Sequence, residues 1–389
     1  MRRYLVQTFG CQMNVHDSRR IEEVLRGAGY APAEGPSTAD LLLFNTCSVR
    51  EKAEQKLRSA VGTYKHLKAQ RPELVVAVAG CVAQQEGERL LKRMPYLDVV
   101  IGPDNIPELP ELVEHIRAGG PPVARTVFDE GSPRFLVARP RTDAREVTSF
   151  VTVMKGCDER CTYCIVPYTR GSERYRAADE IVSEVSGLVE GGVREVTLLG
   201  QTVNSWHPGE KESHRTPSSF ARLLRRVAQE VPGLRRLRYT SPHPRHLNDA
   251  LIAAHADLPV LPRHLHLPVQ SGSDRLLKRM LRRYTVAEYV ERVTALQAAV
   301  PGLTLSTDMI VGFPGETDAD FEATLELVRQ VGFVSLFGFK YSPRPYTPAL
   351  KLADDVPEEV KDARLQALFA LVESQQSAHL QALVGTRQQ

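Results

Sequence analysis

The stretch "FVTVMKGCDERCTYCIVPYTRG" (150–171) decides how this chain is read. Six residues of strand character, Phe150 to Lys155, run directly into Cys157, Cys161 and Cys164, three cysteines within eight positions. A closed tetrahedral zinc site or a fully ligated iron–sulfur cluster takes four protein ligands. Only three are present here. The first histidine after Cys164 is His207, beyond the next strand, so a compact zinc site finds no local fourth ligand. A 4Fe–4S cube on three thiolates leaves one iron open to an exogenous ligand, and the missing ligand is then the function.

Working outward, a βα rhythm starts at Ser149. Strands are predicted at 150–155, 195–200, 235–240, 263–269, 303–312 and 333–341. Helical patterns fill the intervals, including 178–190, 218–230, 273–282, 285–299 and 317–330. Six βα units predict a partial TIM-type barrel, (β/α)6, whose active site lies at the carboxyl ends of its strands. Cys157 follows the first of these strands directly.

The same rhythm occupies residues 1–118, with strands at 4–9, 40–46, 74–80 and 98–102 alternating with helices. This α/β pattern predicts a doubly wound parallel sheet. Cys11, Cys47 and Cys81 are 36 and 34 residues apart, one βα unit each, so each falls just past a strand end. The carboxyl ends of parallel strands share the rim where open sheets bind ligands, and the three thiols are expected to converge there. A single such cysteine reads as a small buried hydrophobe; three at equivalent positions do not. The six cysteines thus form two triads with none to spare. Residues 119–148, rich in Gly, Pro and Arg, are expected to be a linker with a short strand at the middle, and the barrel is placed at 149–375.

At 389 residues the chain is too long for one ordinary core. Its 42% hydrophobic and 25% charged residues are those of a soluble globular enzyme, and no apolar run reaches the length of a membrane span. The start, "MRRYLVQTFGCQMN", lacks the apolar core of a signal peptide, which leads to an expected cytoplasmic location. Thiols there stay reduced, so grouped cysteines read as metal or catalytic sites rather than disulfides. The formal charge of +3 conceals a local excess: eight arginines between Arg215 and Arg245 enclose one acid, Glu230. A second block, Arg275, Lys278, Arg279, Arg282 and Arg283, encloses none. One such block reads as a solvated face; two in one domain point to a polyanion, RNA above all.

The three-cysteine loop after the first strand of a partial barrel resembles the radical S-adenosylmethionine (SAM) superfamily. Over essentially the whole chain the likeness extends to the methylthiotransferases. "TFGCQMN" (8–14), "NTCSVREKAEQK" (45–56), "GCVAQ" (80–84), "LLGQTVNSW" (198–206), "HLPVQSGS" (266–273) and "TDMIVGFPGET" (307–317) look like the MiaB-type branch, which methylthiolates isopentenyl-adenosine in tRNA. Thr202, Trp206, Tyr175 and Tyr346 depart from that pattern. The family carries a small C-terminal RNA-binding β domain, and residues 376–389 are taken as the remnant where it would begin.

The resemblance implies two 4Fe–4S clusters, one on Cys157, Cys161 and Cys164 and one on Cys11, Cys47 and Cys81. An electron entering the first cleaves SAM to a 5′-deoxyadenosyl radical, which removes hydrogen from carbon 2 of the adenine. The second cluster carries the sulfur, and a second SAM methylates it. Gln201 and Asn204, together with Gly312, Gly315 and Glu316 of "GFPGE", are placed to contact SAM or substrate. For the "GFPGE" glycines a tight turn is the alternative. Arg222, Arg225 and Arg226 are candidates for RNA phosphate contacts. The implied partners are tRNA, an electron donor such as flavodoxin or ferredoxin, and a sulfur donor, with no membrane. Rival readings are sister branches acting on a ribosomal-protein aspartate or on threonylcarbamoyl-adenosine, and a non-enzymatic RNA-binding protein with structural metal.

Overall fold

The computed structural model describes residues 1–48, 51–129, 131, 133–137, 146–209 and 218–387, without the side chains of 51–54. The chain forms two compact units. The first is Met1–Ala138 with Lys155–Asp158 and Ile165–Arg174; the second is Arg139–Met154, Glu159–Cys164 and Tyr175–Gln389. Arg215, in the first arginine block, lies outside the described residues.

The first unit alternates strands and helices: β1 (Arg3–Phe9), α1 (Gln12–Gly27), β2 (Ala31–Pro32), β3 (Leu41–Thr46), α2 (Glu51–Thr63) and α3 (Lys65–Gln70). It continues through β4 (Val75–Gly80), α4 (Cys81–Glu86), α5 (Glu88–Arg93), β5 (Val99–Ile101), α6 (Leu109–Arg117) and β6 (Val123–Arg125). The six strands form one parallel sheet in the order β2–β1–β3–β4–β5–β6. Successive strand residues face opposite sides. Leu41, Leu43, Val75 and Ala77 therefore pack with Ile21 and Leu25 of α1 and Val113 of α6. Leu42, Phe44, Val76 and Val78 pack with Leu57 and Val61 of α2 and Leu90 of α5. Both faces are covered, as a doubly wound sheet requires. Because β6 pairs with β5, the sheet runs past the boundary expected at residue 118.

The second unit holds six parallel strands, β7 (Thr148–Thr152), β10 (Glu195–Leu199), β11 (Arg236–Tyr239), β12 (His264–His266), β13 (Thr304–Val311) and β14 (Ser335–Lys340). Between β7 and β10, the cysteine loop is flanked by β8 (Met154–Lys155) and β9 (Arg174–Tyr175) and holds α7 (Val166–Arg170); α8 (Ala178–Glu190) follows. The remaining helices are α9 (Ser219–Glu230), α10 (Asp249–Asp257), α11 (Asp274–Arg279), α12 (Val286–Ala299), α13 (Asp318–Val331) and α14 (Glu358–Leu383). The strands pair in chain order as two parallel ladders, β7–β10–β11 and β12–β13–β14, the order of an incompletely closed barrel. Among the described residues no ladder joins β11 to β12; the Leu237 N–H donates instead to the Val260 carbonyl at 2.8 Å.

Several helices start where the sequence places a cap. Ser218, Ser273, Thr285 and Thr317 each accept a hydrogen bond from the backbone N–H three residues on, worth about 1 kcal/mol apiece. The segment taken as a β-domain remnant differs from expectation. Residues 376–383 are the last turns of α14, so the boundary at 375 falls inside a helix.

Candidate metal centres

Cys11, Cys47 and Cys81 follow β1, β3 and β4, which are adjacent in the sheet. The strand ends are in register, Phe9 opposite Thr46 and Thr46 opposite Gly80. The Cys47 N–H donates to the Phe9 carbonyl at 2.9 Å. Adjacent strands lie roughly 4.8 Å apart, so the three cysteines sit at neighbouring strand ends on one rim. Two glycines permit this crowding. A Cβ on Gly10 would lie 2.6 Å from the Cys47 Cβ, and one on Gly80 2.4 Å from Asn45 Oδ1. Both take positive φ, +151° and +95°, which other residues disfavour.

A buried amide network backs the triad. Asn14 Nδ2 donates to Asn45 Oδ1 (3.2 Å), and Asn45 Nδ2 donates to the Asn14 carbonyl and to Ser18 Oγ (both 2.9 Å). Asn14 Oδ1 accepts from the Cys11 sulfur at 3.4 Å. The hydrogen bond with Cys47 brings the Cys11 thiol down to about 6 against the opposing effect of burial, helped by Asn14 and the Arg170 charge. Arg170 is buried, six residues past Cys164 in the chain, yet it belongs to this first unit. Its Nε donates to the Cys81 sulfur at 3.3 Å and its Nη2 to Asp17 at 2.7 Å. Asp17 is buried too; the Arg170 charge holds it below the usual carboxylate range despite that burial.

The second triad is the loop itself. Cys157 N–H donates to the Gly171 carbonyl at 3.1 Å, and Cys164 N–H to the Cys161 carbonyl at 3.1 Å. Thr162 is fixed to the end of α11 by its N–H on the Met280 carbonyl (3.0 Å) and its hydroxyl on the Arg279 carbonyl (3.1 Å). From the segment after α11, the buried Arg282 donates to the Cys161 sulfur at 3.5 Å. Arg282 and Arg170 thus each place a guanidinium on a cysteine sulfur.

The sequence-predicted contact residues fall into different roles. Gln201 lies just past β10, and its Oε1 is buried without a hydrogen-bond partner among the described residues. Asn204 is occupied at both ends of its amide: Nδ2 donates to the His243 carbonyl (3.0 Å) and Oδ1 accepts the His243 N–H (2.7 Å). It holds the segment after β11 in place. The Gly312 N–H donates to Glu316 Oε2 at 2.6 Å, and the same carboxylate accepts from Arg364 at 2.8 Å. The Gly315 N–H donates to Asp355 at 2.6 Å. "GFPGE" is therefore a turn saturated by its own partners, the alternative the sequence allowed.

Glu159, His243 and His246 each bring a ligand atom within 4.8 Å of the others. The charges of Arg245 and Arg283 bear on both Glu159 and His243, and that of Arg282 on His243, an environment that opposes a bound cation. Burial and then the Arg282 charge push His243 well below the usual imidazole range, so the ring is neutral. Its Nδ1 accepts the Arg245 N–H at 3.3 Å, which leaves the proton on Nε2. That Nε2 is buried and has no partner among the described residues.

Four arginines of the block around α9 meet acids from outside its own stretch. Arg225 pairs with Asp257 and Arg226 with Asp179, each at 2.6 Å, while Arg226 also meets Glu230. Arg236 and Arg238 share Glu195, at 2.8 and 2.9 Å. Arg222 donates to Ser219 Oγ at 2.6 Å. Counting acids inside the block missed these partners, because they reach it from α8, β10 and α10. Arg170, Asp17, Arg282 and His243 were not singled out as site residues from sequence, since nothing local shows where a long side chain ends. Position was a signal for two of them: Arg170 lies within residues 150–171, and Arg282 within the second arginine block.

Residues 3–102 match the model of an uncharacterised protein family, UPF0004, and residues 151–328 match the radical SAM superfamily. A protein of Sorangium cellulosum called tRNA-2-methylthio-N(6)-dimethylallyladenosine synthase is 64% identical over 100% of this chain and 81% of its own length. Proteins of the same name are 51% identical in Myxococcus xanthus (99% and 82% covered) and 49% in Bordetella petrii (100% and 80%). In fold, the chain resembles the radical S-adenosylmethionine methyltransferase TsrM from Kitasatospora setae, with a TM-score of 0.61 at 15% identity over 90% of this chain and 77% of that one. It also resembles the cobalamin-dependent radical enzyme OxsB, at 0.54 and 12% over 96% and 56%. With an α/β sheet unit carrying one thiol triad, a radical SAM fold and relatives of this identity along its full length, the chain belongs to the radical SAM methylthiotransferase family of tRNA-2-methylthio-N(6)-dimethylallyladenosine synthases.

Proposed function

We propose that this chain methylthiolates carbon 2 of isopentenyl-adenosine beside the anticodon of tRNA, by radical SAM chemistry with two 4Fe–4S clusters. The observation that carries the reading is the second triad, Cys11, Cys47 and Cys81 on three adjacent in-register strand ends. A radical SAM enzyme needs one triad for cleavage; a second, apart from it, supports a sulfur-carrying role.

The residues fit such groups. All six residues carry thiols, the donor type of iron–sulfur clusters, and the hydrogen bond with Cys47 lowers the Cys11 thiol against the opposing effect of burial. When bound, the clusters and SAM supply the electron, the carbon-centred radical, the sulfur atom and the methyl group. Cys157, Cys161 and Cys164 would hold the cluster that serves SAM cleavage; Cys11, Cys47 and Cys81 would hold the other. Arg170 and Arg282 donate N–H groups to ligating sulfurs and fix the geometry around them. Gln201 Oε1 and His243 Nε2, both buried and unpartnered, offer an acceptor and a donor to a polar ligand such as SAM. Asn204 positions His243 for that role. Glu316 keeps the turn after β13 closed, and Gly312 and Gly315 shape it. We assign the sulfur-carrying role to the N-terminal unit and SAM cleavage to the barrel. An electron donor such as flavodoxin or ferredoxin and a separate sulfur donor complete the system, in the cytoplasm with its tRNA; no helix of the described residues is long and apolar enough to cross a membrane.

The test is anaerobic reconstitution followed by incubation with SAM, a reductant and isopentenylated tRNA, and separately with ribosomal protein. The expected result is methylthio-adenosine in the tRNA digest alone. Modification of the ribosomal protein instead, or stoichiometric zinc with little iron, overturns the reading.

A further inference from the structure

Two buried arginines end on cysteine sulfurs, one beside each triad, and their charges are handled differently. Arg170 faces Asp17 across 2.7 Å, so the guanidinium on Cys81 forms a neutral pair with a buried carboxylate. Arg282 has no carboxylate partner among the described residues. Its hydrogen bonds run to the Cys161 sulfur (3.5 Å), the Pro268 carbonyl (3.0 Å) and the Tyr284 hydroxyl (3.0 Å), none of them a carboxylate. The nearby acid, Glu159, faces His246 at 3.6 Å and Arg245 at 3.7 Å instead.

The backbone around Arg282 is held at a cost. Leu281 and Arg283, on either side of it, both take left-handed φ, +57° and +56°. Side chains other than glycine or asparagine disfavour that region. Leu281 is 42% exposed, so its burial offsets little of that cost. What the two left-handed residues achieve is to end α11 and turn the intervening Arg282 inward, onto Cys161.

A one-electron reduction adds one negative charge to an iron–sulfur cluster, and nearby charge, hydrogen bonds to sulfur and exclusion of water set its potential. We propose that Arg282 is a positioning residue that supplies an uncompensated positive charge to the cluster on Cys157, Cys161 and Cys164 and raises its reduction potential, whereas Arg170, cancelled by Asp17, acts on the Cys11/Cys47/Cys81 cluster through its hydrogen bond alone. This rests on the two-cluster reading above. It explains why a buried cation without a carboxylate is tolerated here: the cluster itself is the counter-charge.

The experiment uses full-length protein with Cys11, Cys47 and Cys81 changed to Ala, so that one cluster remains. Iron content and the potential from an EPR-monitored redox titration are measured together. Arg282→Gln should move the potential to a more negative value with iron retained. Arg282→Lys should keep most of the parent value, and Tyr284→Phe, which leaves the charge, should not move it. In the reciprocal protein, with Cys157, Cys161 and Cys164 changed to Ala, Asp17→Asn should uncover the Arg170 charge and raise the remaining cluster's potential. An unmoved potential in Arg282→Gln with iron retained overturns the role of Arg282, and an unmoved potential in Asp17→Asn overturns the contrast with Arg170. Loss of iron in both Arg282 variants assigns the residue to holding the loop and also overturns the proposal. Iron-free parent proteins would instead defeat the two-cluster reading beneath it.

Discussion

The Nε–H of Arg170 donates to the sulfur of Cys81 at 3.3 Å across 89 residues of sequence. The contact draws the segment that follows the cysteine loop onto the rim of the first sheet, and Asp17 holds it there. Chain connectivity and sulfur chemistry are coupled through one guanidinium.

Removing Asp17 should therefore be costly. Asp17→Ala leaves a buried guanidinium without its carboxylate, and breaking such a pair costs about 3–5 kcal/mol. Replacing Asp17 and Arg170 together by apolar residues should cost much less. Denaturant unfolding of the two single variants and the double variant measures the difference; additive losses would show that the pair is not coupled.

The triads should separate by activity. Reconstituted protein should hold about eight irons, two cubes of four. Cys47→Ala should keep about half of the iron and still release 5′-deoxyadenosine from SAM, but form no methylthio product. Cys157→Ala should lose SAM cleavage. Equal loss of both activities in both variants would contradict the division.

The glycines before Cys11 and Cys81 are steric requirements. In Gly80→Ala the new Cβ would lie 2.4 Å from Asn45 Oδ1 and 2.6 Å from the Thr46 carbonyl oxygen, at φ +95°. Strained backbone of this kind costs on the order of 1–3 kcal/mol before any clash. Gly10→Ala and Gly80→Ala should each lower the unfolding midpoint and reduce bound iron by up to half. Wild-type iron content in both would refute the packing argument.

Gln201 and Asn204 should behave differently although three positions separate them. Gln201→Ala removes an unpartnered acceptor and should weaken SAM binding without changing the unfolding midpoint. Asn204→Ala strips two hydrogen bonds from the buried His243 backbone and should cost on the order of 1–3 kcal/mol of stability. Equilibrium dialysis with SAM, alongside thermal unfolding, reads both; the reverse pattern would exchange the two roles.

One pH dependence follows from a buried histidine of the second unit. His255 is buried against the Tyr239 hydroxyl at 2.6 Å, and burial lowers its ring from 6.5 to about 4. Below 6.5 the unfolded chain binds a proton that the folded chain still refuses, so stability falls as pH drops through this window and levels off below about 4. The gap corresponds to roughly 3 kcal/mol. His255→Gln should flatten that part of the stability–pH curve; an unchanged slope would show that other groups produce it.

Much of this molecule is legible in its sequence because the deciding signals are local. Apolar strands of six residues, such as "LLLFNT", report a sheet covered on both faces, and Cys47 at the end of one reports a rim position. The cap residues Ser273, Thr285 and Thr317 mark helix starts for the same reason: the hydrogen bond they make reaches only three residues ahead. The "GFPGE" turn and the arginine block were less legible. Glu316 folds back on Gly312, but Arg364 completes the site from 48 residues away. Arg225 and Arg226 look like free cations until Asp257 and Asp179 reach them from other helices.

By itself the sequence determined the two α/β units, the two thiol triads and the three-ligand loop, since spacing along the chain is enough to place a cysteine at a strand end. Only the tertiary structure decided that β1, β3 and β4 are neighbours, so that three thiols one βα unit apart share a rim. It alone decided that Arg170 reaches Cys81 with Asp17 as counter-charge, while Arg282 reaches Cys161 with none. The physical reason is range. Periodicity and capping act within a few residues, whereas a buried charge is balanced by whatever the fold brings within about 4 Å of it.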